Sequence, residues 1–453
     1  MRLVMFSMTP LFADRSMGGA QKQLRKVALH LAQQGHQVRI LCTRRQPDAM
    51  LPFDWHANAR VLPVLRFRQP FPEPYATPVY NIANAISDVL DEIQQADAFY
   101  SHDGGLIFPY VYEHRPAIVS LRSVLFSETL QSGFLFNGDA LIVPSPHAAR
   151  VWQHTAGRFY PELRQRTHII PNGLDFDVYH PGVDAAPLAQ RLGLEPGRYR
   201  YLLYPHRPDD GKGIRQTIAL MRVLVGDYGV RDVRVLVPRW IDIGLAPHVR
   251  AYYDSLLAEI ARLGLTEYFV FHDWISDDDM PAFYRLGAAA LVLGNYVETF
   301  GNTPYEALAC GTPAVVASVA AYRDMLPAEM LVDYGDTAAA ARKVYECLQG
   351  QAVSRQTYDW LRAGFDQRVM VDAYAQIILG QPKLAPMRHV YRQPVGYTFA
   401  PWVAFTRDGR LYHDFLGDYV SHPVWADGGV QQAYAEDAVR EGIMVPVYDD
   451  DPR

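Results

Sequence analysis

Residues 290–318 read ALVLGNYVETFGNTPYEALACGTPAVVAS, and the fold turns on how this stretch is understood. Its apolar run, ending at Tyr296, reads as a buried strand that empties into a short polar loop carrying Glu298 and Gly301. A helix follows at once. Thr303 stands where an N-cap belongs, Pro304 at the first helical position gives up only an amide proton the helix would leave unpaired, and Gly311 with Pro313 ends it. Val315 and Val316 begin another strand. This strand, loop, helix and strand set Glu298 and Glu306 beside a helix N-terminus whose free amides and partial positive charge suit a phosphate. Residues 303–306 also spell a capping box, with Glu306 reaching back to the Thr303 amide, and either role fits Glu306 taken alone.

The 453-residue chain is too long for one ordinary core and its length suggests about two or three domains. With 49% hydrophobic and 20% charged residues, it has the composition of a soluble globular protein. No apolar run reaches the roughly 18 residues that a membrane-spanning helix needs. Met1 and Arg2 lead straight into an apolar strand over residues 3–8 without a cleavage-site pattern, so no signal peptide is expected. Cys42, Cys310 and Cys347 are odd in number and far apart, which argues against a disulfide framework or a Cys-rich metal site and for a reducing cytoplasm. The formal charge of -6 is uneven, about +2 over residues 1–180 and about -8 over the rest, and excludes an obvious nucleic-acid binder. Residues 64–68, VLRFR, with Pro70 and Phe71, have the Arg and aromatic content of a peripheral contact with anionic headgroups at the cytoplasmic membrane face; an ordinary exposed loop is the plainer reading.

Along the first part of the chain, strands are expected over residues 3–8, 37–43, 96–102, 117–122, 140–145 and 168–171, alternating with helical stretches such as 77–94. Leu24, Val27, Ala28 and Leu31 fall on one face of the helix that follows Gly18 and Gly19. Those glycines leave room for a phosphate, although the spacing is not G-x-G-x-x-G. His102 and Asp103 lie on a loop at a strand's C-terminal end, where open α/β sheets hold ligands. The alternation resumes at residue 199. A strand over 199–204 opens into HRPDDGKG, residues 206–213, placing Arg207 and Lys212 on one loop. Further strands are expected over 233–237, 268–271 and 291–293, and residues 248–263 form an amphipathic helix. Trp274 has the ring to stack on a base, or simply belongs to the core. Ser276 and the three acids after it open the next helix.

The wording of 290–318 resembles the E-x7-E signature and trailing E-A-x-A-x-G-T-P-V-V run of retaining glycosyltransferases of family 4. Residues 18–21 resemble that family's G-G-A-E loop, with Gln21 replacing the acid; 171–181 resemble its N-G-V-D-x-x-x-F-x-P segment; and 206–213 resemble G-R-L-x-x-x-K-G, with His206 in place of glycine. About four-fifths of the chain is covered. The resemblance implies a GT-B α/β fold, in which two Rossmann-like, doubly wound parallel-sheet domains face each other across a cleft. It also implies a nucleotide diphosphate sugar donor, UDP- or GDP-linked, with no cofactor and no metal. Arg207 and Lys212 would hold the diphosphate, Glu298 the sugar hydroxyls and Glu306 the ribose hydroxyls. Gly301, Asn302 and Thr303 would line the donor loop, Trp274 would lie by the base, and Gly18 and Gly19 would close over the phosphates. His102, or alternatively Asp103, would contact the donor sugar. The D-x-D triplet at Asp175 and Asp177, a metal-binding pattern in another transferase class, lies in a Pro- and Gly-punctuated connection and is not read as a metal site. Ala320 and Ala321 stand where the family shows a glycine pair.

The expected organisation is an N-terminal acceptor-side domain over 1–181, a donor-binding domain over 182–356, a closing crossover helix over 357–379, and an extension over 380–453 that packs on the body or on a neighbouring subunit. Thr406 to Arg410 form a hairpin candidate within that extension, with Asp-Gly at the turn. The expected activity is retaining transfer of a sugar to a glycan, a lipid-linked acceptor or a small molecule. Rival readings are a sugar-nucleotide epimerase or hydrolase on the same fold, and a non-catalytic binding scaffold.

Overall fold

The computed structural model describes residues 1–16, 18–45, 51–68, 72–73, 76–104, 109–239, 246–420 and 432–449. Two compact units result, Met1–Asn172 with Arg368–Arg453, and Gly173–Gln367. The division falls at Asn172, short of the expected 181. Pro70, Phe71, Gly105, Asp450 and Asp451 lie outside the described residues.

In the first unit, apolar runs form strands buried on both faces, as a parallel sheet covered by helices requires. The chain runs β1 (Arg2–Ser7), α1 (Gly19–Gln33), β2 (Gln37–Thr43), β3 (Phe53–His56), β4 (Ala59–Leu65), α2 (Val79–Ile93), β5 (Ala98–His102), β6 (Ala117–Ser120), α3 (Ser127–Phe134), β7 (Ala140–Val143), α4 (Pro146–His154), α5 (Leu163–Arg166) and β8 (Thr167–Ile169). These strands make an eight-stranded sheet in the order β3-β4-β2-β1-β5-β6-β7-β8, parallel except for the β3–β4 pair. The α1 residues Leu24, Val27, Ala28 and Leu31 are fully buried, as their spacing requires.

The second unit repeats the scheme with α6 (Ala186–Arg191), β9 (Arg200–Leu203), α7 (Ile214–Gly226), β10 (Val233–Pro238), α8 (Ala246–Arg262), β11 (Phe269–His272), α9 (Met280–Arg285), β12 (Gly287–Val292), α10 (Thr303–Ala309), β13 (Ala314–Ala317), α11 (Ala321–Met325), β14 (Leu331–Val332), α12 (Thr337–Leu348) and α13 (Arg355–Phe365). Its six strands are parallel, in the order β11-β10-β9-β12-β13-β14. The strand expected to run to Tyr296 stops at Val292, because the Tyr296 amide turns aside to donate to the Gly211 carbonyl (2.9 Å).

The single crossover helix expected over 357–379 is two helices, α13 and then α14 (Gln367–Gly380). Asp366 between them is extended (φ -69, ψ 131) because the chain forms a bridge there with Leu174: the Leu174 amide donates to Phe365 O at 2.7 Å and the Gln367 amide to Leu174 O at 2.9 Å. Such a bridge joins segments far apart in sequence, so no local pattern announces it.

After α14 the chain packs on the first unit. Asp139, buried beside β7, accepts from Lys383 Nζ (3.1 Å) and the Leu384 amide (2.7 Å), and the Val390 amide donates to Phe159 O (3.0 Å). Beyond it come β15 (Gly396–Phe399), β16 (Val403–Phe405), β17 (Leu411–His413), β18 (Asp418–Val420), α15 (Gln432–Arg440) and β19 (Met444–Val447). Strands β16 and β17 pair antiparallel around the expected Asp-Gly turn, with Gly409 at φ 80. No described helix is long and apolar enough to cross a membrane.

Candidate functional site

In the second unit the loops after β9 and β12 leave the same edge of the sheet and touch through their backbones. Gly213 sits at φ +89, and a Cβ there would meet Gly294 N at 2.4 Å; a Cβ on Gly294 would meet Gly211 O at 2.1 Å. Only glycines allow so close an approach. Its consequence is to bring Lys212 and Glu298 together, with Lys212 Nζ 2.5 Å from Glu298 Oε1 and 3.7 Å from the centroid of the Tyr296 ring. Both side chains are about four-fifths buried, at 20% and 23% exposure. Arg207, on the same loop, is half exposed with Nη2 3.9 Å from Asp209 Oδ2. His206 packs edge-on against Tyr204, and burial with the nearby Lys212 charge lowers its pKa to about 3.

Glu306 accepts a hydrogen bond from the Tyr284 hydroxyl (2.8 Å). Helix α10 begins differently from the expectation: Asn302, already helical at φ -65 and ψ -30, occupies the cap position without a side-chain cap bond, so Thr303 is the first helical residue and Pro304 the second. Gly301 at φ +73 faces Tyr322, whose hydroxyl would lie 2.0 Å from an added Cβ. The Ala321 amide donates to the Glu298 carbonyl (3.2 Å), which anchors the Glu298 loop to the start of α11. Ala320 reaches that position only at φ 48 and ψ -130, a conformation that favours glycine, and the family's glycine pair at this point has a backbone reason. Trp274 is 65% exposed just past β11, so it is not core. Asp175 Oδ1 accepts from the Asp177 amide (3.0 Å), an Asx turn within the D-x-D triplet.

In the first unit Gly18 is extended and precedes α1, which begins at Gly19. His102 is 2% exposed and both ring nitrogens are engaged: Nε2 donates to Ala20 O (2.8 Å) and Nδ1 accepts from the Tyr100 hydroxyl (2.7 Å). Burial first, then the Arg122 charge, lowers its pKa to about 3, so the ring is neutral and holds the first turn of α1. In this geometry His102 ties the end of β5 to the start of α1. Asp103 sits at φ 55 with Oδ1 accepting from the Arg122 amide (3.1 Å), and burial raises its carboxyl to about 6.

Sequence reasoning passed over Arg122, two residues beyond β6. Its guanidinium donates to Tyr374 Oη (3.2 Å) and to Asn172 Oδ1, and Tyr374 in turn accepts from Gln23 Nε2 (3.0 Å). An arginine just past a strand's C-terminal end, at the ligand-bearing edge, was the available signal. Tyr284 gave none, because a tyrosine in a helix usually only packs.

Two parallel sheets with helices on both faces, each carrying polar loops at its C-terminal edge, define the GT-B class of α/β protein. Residues 193–359 match the family described as "Glycosyl transferases group 1", and residues 17–178 match "Glycosyltransferase Family 4". The chain belongs to this family of glycosyltransferases. Among curated relatives, the D-inositol 3-phosphate glycosyltransferase of Mycobacterium sp. (strain JLS) is 34% identical over 34% of this chain and 32% of the relative. The mannosylfructose-phosphate synthase of Agrobacterium fabrum is 30% identical over 35% of this chain and 34% of the relative. The chain thus spans about a third of the length of these relatives. Solved structures share the fold at low identity. HepE of Anabaena in complex with UDP-glucose aligns at TM-score 0.66 and 18% identity over 83% of this chain and 99% of that one. The sucrose-phosphate synthase of Thermosynechococcus elongatus aligns at 0.63 and 17% over 83% and 98%.

Proposed function

We propose that the chain is a retaining glycosyltransferase that moves a sugar from a nucleotide diphosphate donor to a hydroxyl-bearing acceptor. The observation that carries this reading is the convergence of Lys212 and Glu298, 86 residues apart, on a 2.5 Å contact at the ligand-bearing edge of the second sheet. A cation held against a carboxylate and an aromatic face is poised to share its charge with an incoming anion. As the glycosidic bond breaks, negative charge builds on the β-phosphate and positive charge on the sugar ring. Arg207 would fork two phosphate oxygens and Lys212 would supply a point charge, so the offset is made by side chains rather than by a metal. Glu298 would take the sugar hydroxyls, Glu306 the ribose hydroxyls while Tyr284 fixes its rotamer, and exposed Trp274 the base. The structural neighbour solved with UDP-glucose favours a uridine nucleotide.

A thermal-shift screen against UDP-, GDP-, ADP- and TDP-sugars identifies the donor, because a ligand that prefers the folded form raises its melting point. With that donor, Lys212→Ala should lower transfer about 10²- to 10³-fold while the melting temperature moves by only a few degrees. Unchanged transfer in that variant removes the reading, and rearrangement of the donor sugar without acceptor replaces it with an epimerase.

A further inference from the structure

A cavity of about 250 Å³ opens in the second unit, between α8 and the ends of β10 and β11, and nothing above uses it. Strand β11 is the outermost of its sheet, so Phe271 has a neighbouring strand on one side only. Helix α8 is fixed over this edge by Leu256 and Ile260, which are buried in one core with Phe269. A stripe of α8 beside them, Val249, Tyr253 and Leu257 with Arg250 and Asp254, lines the cavity at the spacing of helical turns. The Tyr253 hydroxyl donates to Pro238 O (3.0 Å), and its ring meets Phe271 edge-on with centroids 6.2 Å apart. Two aromatic rings are thereby held as walls. Leu257 is 47% exposed although it is large and apolar. The Arg239 amide donates to His272 O (2.7 Å), which fixes Arg239 at the strand ends, and its side chain also lines the cavity. Arg239, Arg250 and Asp254 are exposed, and their side chains form no hydrogen bond or ion pair among the described residues.

The lining therefore offers two kinds of contact. Tyr253, Phe271, Leu257 and Val249 supply apolar surface, and an edge-on ring pair leaves faces on which a further flat ring can pack. Two guanidinium groups against one carboxylate leave the polar part net positive, and a guanidinium fork matches a carboxylate. A sugar or a bare phosphate would leave the rings without a partner, whereas a hydrocarbon would leave both guanidinium groups unused. An apolar cavity of roughly 150 Å³ takes a benzene, so this larger one has room for two fused rings. We propose that this cavity is a small-molecule site separate from the donor loops, binding an aromatic carboxylate with its rings against Tyr253, Phe271 and Leu257 and its carboxylate on Arg239 and Arg250. The site does not rest on the transferase reading, since no residue given a donor role lines it.

The test titrates the full chain calorimetrically with 2-naphthoate, its neutral counterpart 2-naphthamide, its cationic counterpart 2-naphthylmethylammonium, and acetate, and repeats the naphthoate titration with UDP present. The wild type should bind naphthoate about tenfold more tightly than the amide or better, and the cation and acetate more weakly still. Arg239→Gln/Arg250→Gln should erase the margin between naphthoate and amide while the amide binds as before. Leu257→Asp should weaken both by about tenfold, because it sets a charge where the rings pack. Both variants change exposed side chains and should melt within a few degrees of the wild type, which separates lost binding from lost folding. If neither naphthoate nor amide binds, if the two bind equally, or if naphthoate binding survives both variants, the site is overturned. Displacement of naphthoate by UDP overturns it as well, since the cavity then belongs to the nucleotide site. If UDP fails to bind while naphthoate binding still depends on the arginines, the donor reading falls and this site stands.

Discussion

Ala320 and His102 show how single side chains are placed at a conformational or electrostatic cost to hold loops at the ligand edges. Ala320 is fully buried at φ 48, ψ -130, outside the regions open to a residue with a Cβ. Ala320→Gly should therefore raise stability, by about 1 kcal/mol, even though glycine gains entropy in the unfolded chain, because the relieved strain is of order 1–3 kcal/mol. Denaturant unfolding checks it, and a loss of stability would mean that the alanine methyl's packing outweighs its backbone cost. His102 is held neutral with a pKa near 3. The unfolded chain, with an ordinary value near 6.5, binds the proton more readily between these limits, so this contribution is complete above about pH 6.5 and is lost as pH falls towards 3. At pH 5 the loss is about 2 kcal/mol. Asp103, raised to about 6, acts with the opposite sign: the stability it favours is present at low pH and is lost as pH rises through 6. The two partly cancel in the wild type. His102→Gln should leave a shallower acid limb than the wild type between pH 7 and 5, read from unfolding midpoints across pH; parallel limbs would contradict a buried neutral ring.

At the scale of elements, what holds the candidate site is backbone against backbone where the loops after β9 and β12 meet. Gly213→Ala must place a methyl 2.4 Å from Gly294 N while adopting φ +89, and neither backbone can yield as a flexible side chain would. A loss of at least ~2 kcal/mol is expected, together with weaker nucleotide binding, since Lys212 is the preceding residue. A variant as stable as the wild type would show that the loops are not in contact. This meeting also explains what the sequence could and could not disclose. Strands β1 and β10 are largely apolar runs, interrupted in β10 by Arg234, and the buried face of α1 follows from its spacing, because burial acts residue by residue and leaves a local pattern. Lys212, Glu298 and Glu306 were legible through motif wording, and the glycines between them through their type. The early end of β12, the break between α13 and α14 at Asp366 and the grip of Arg122 on Tyr374 were not, since each is a pairing between segments distant in sequence. The bond from His102 to the Ala20 carbonyl was not legible either, because a strand-end histidine reads alike whatever its ring faces.

For the whole molecule, the arrangement of its apolar cores has a thermodynamic consequence. Four of its buried clusters each lie within one unit: one joins residues 3–170 with 370–378, one is confined to residues 4–117, and two are confined to residues 174–365. The first unit is closed only when α14 returns to it, since Met370, Val371, Tyr374 and Ile378 complete the core around Leu3, Met5 and Tyr100. Cooperative unfolding follows shared packing, so units that each hold their own cores are expected to melt as separate events. Calorimetry should resolve two transitions, and perturbations on the page assign them. Gly213→Ala should lower the transition of the unit 173–367 alone. Asp139→Ala should lower the other alone, because it strips a buried carboxylate from Lys383 and the Leu384 amide and loosens the strap that follows α14. UDP at a hundred times its dissociation constant should raise the first of these by the equivalent of about 2.7 kcal/mol, and leave the second nearly in place if the nucleotide site belongs to the second unit. A single transition moved by both substitutions would show that the two units unfold as one.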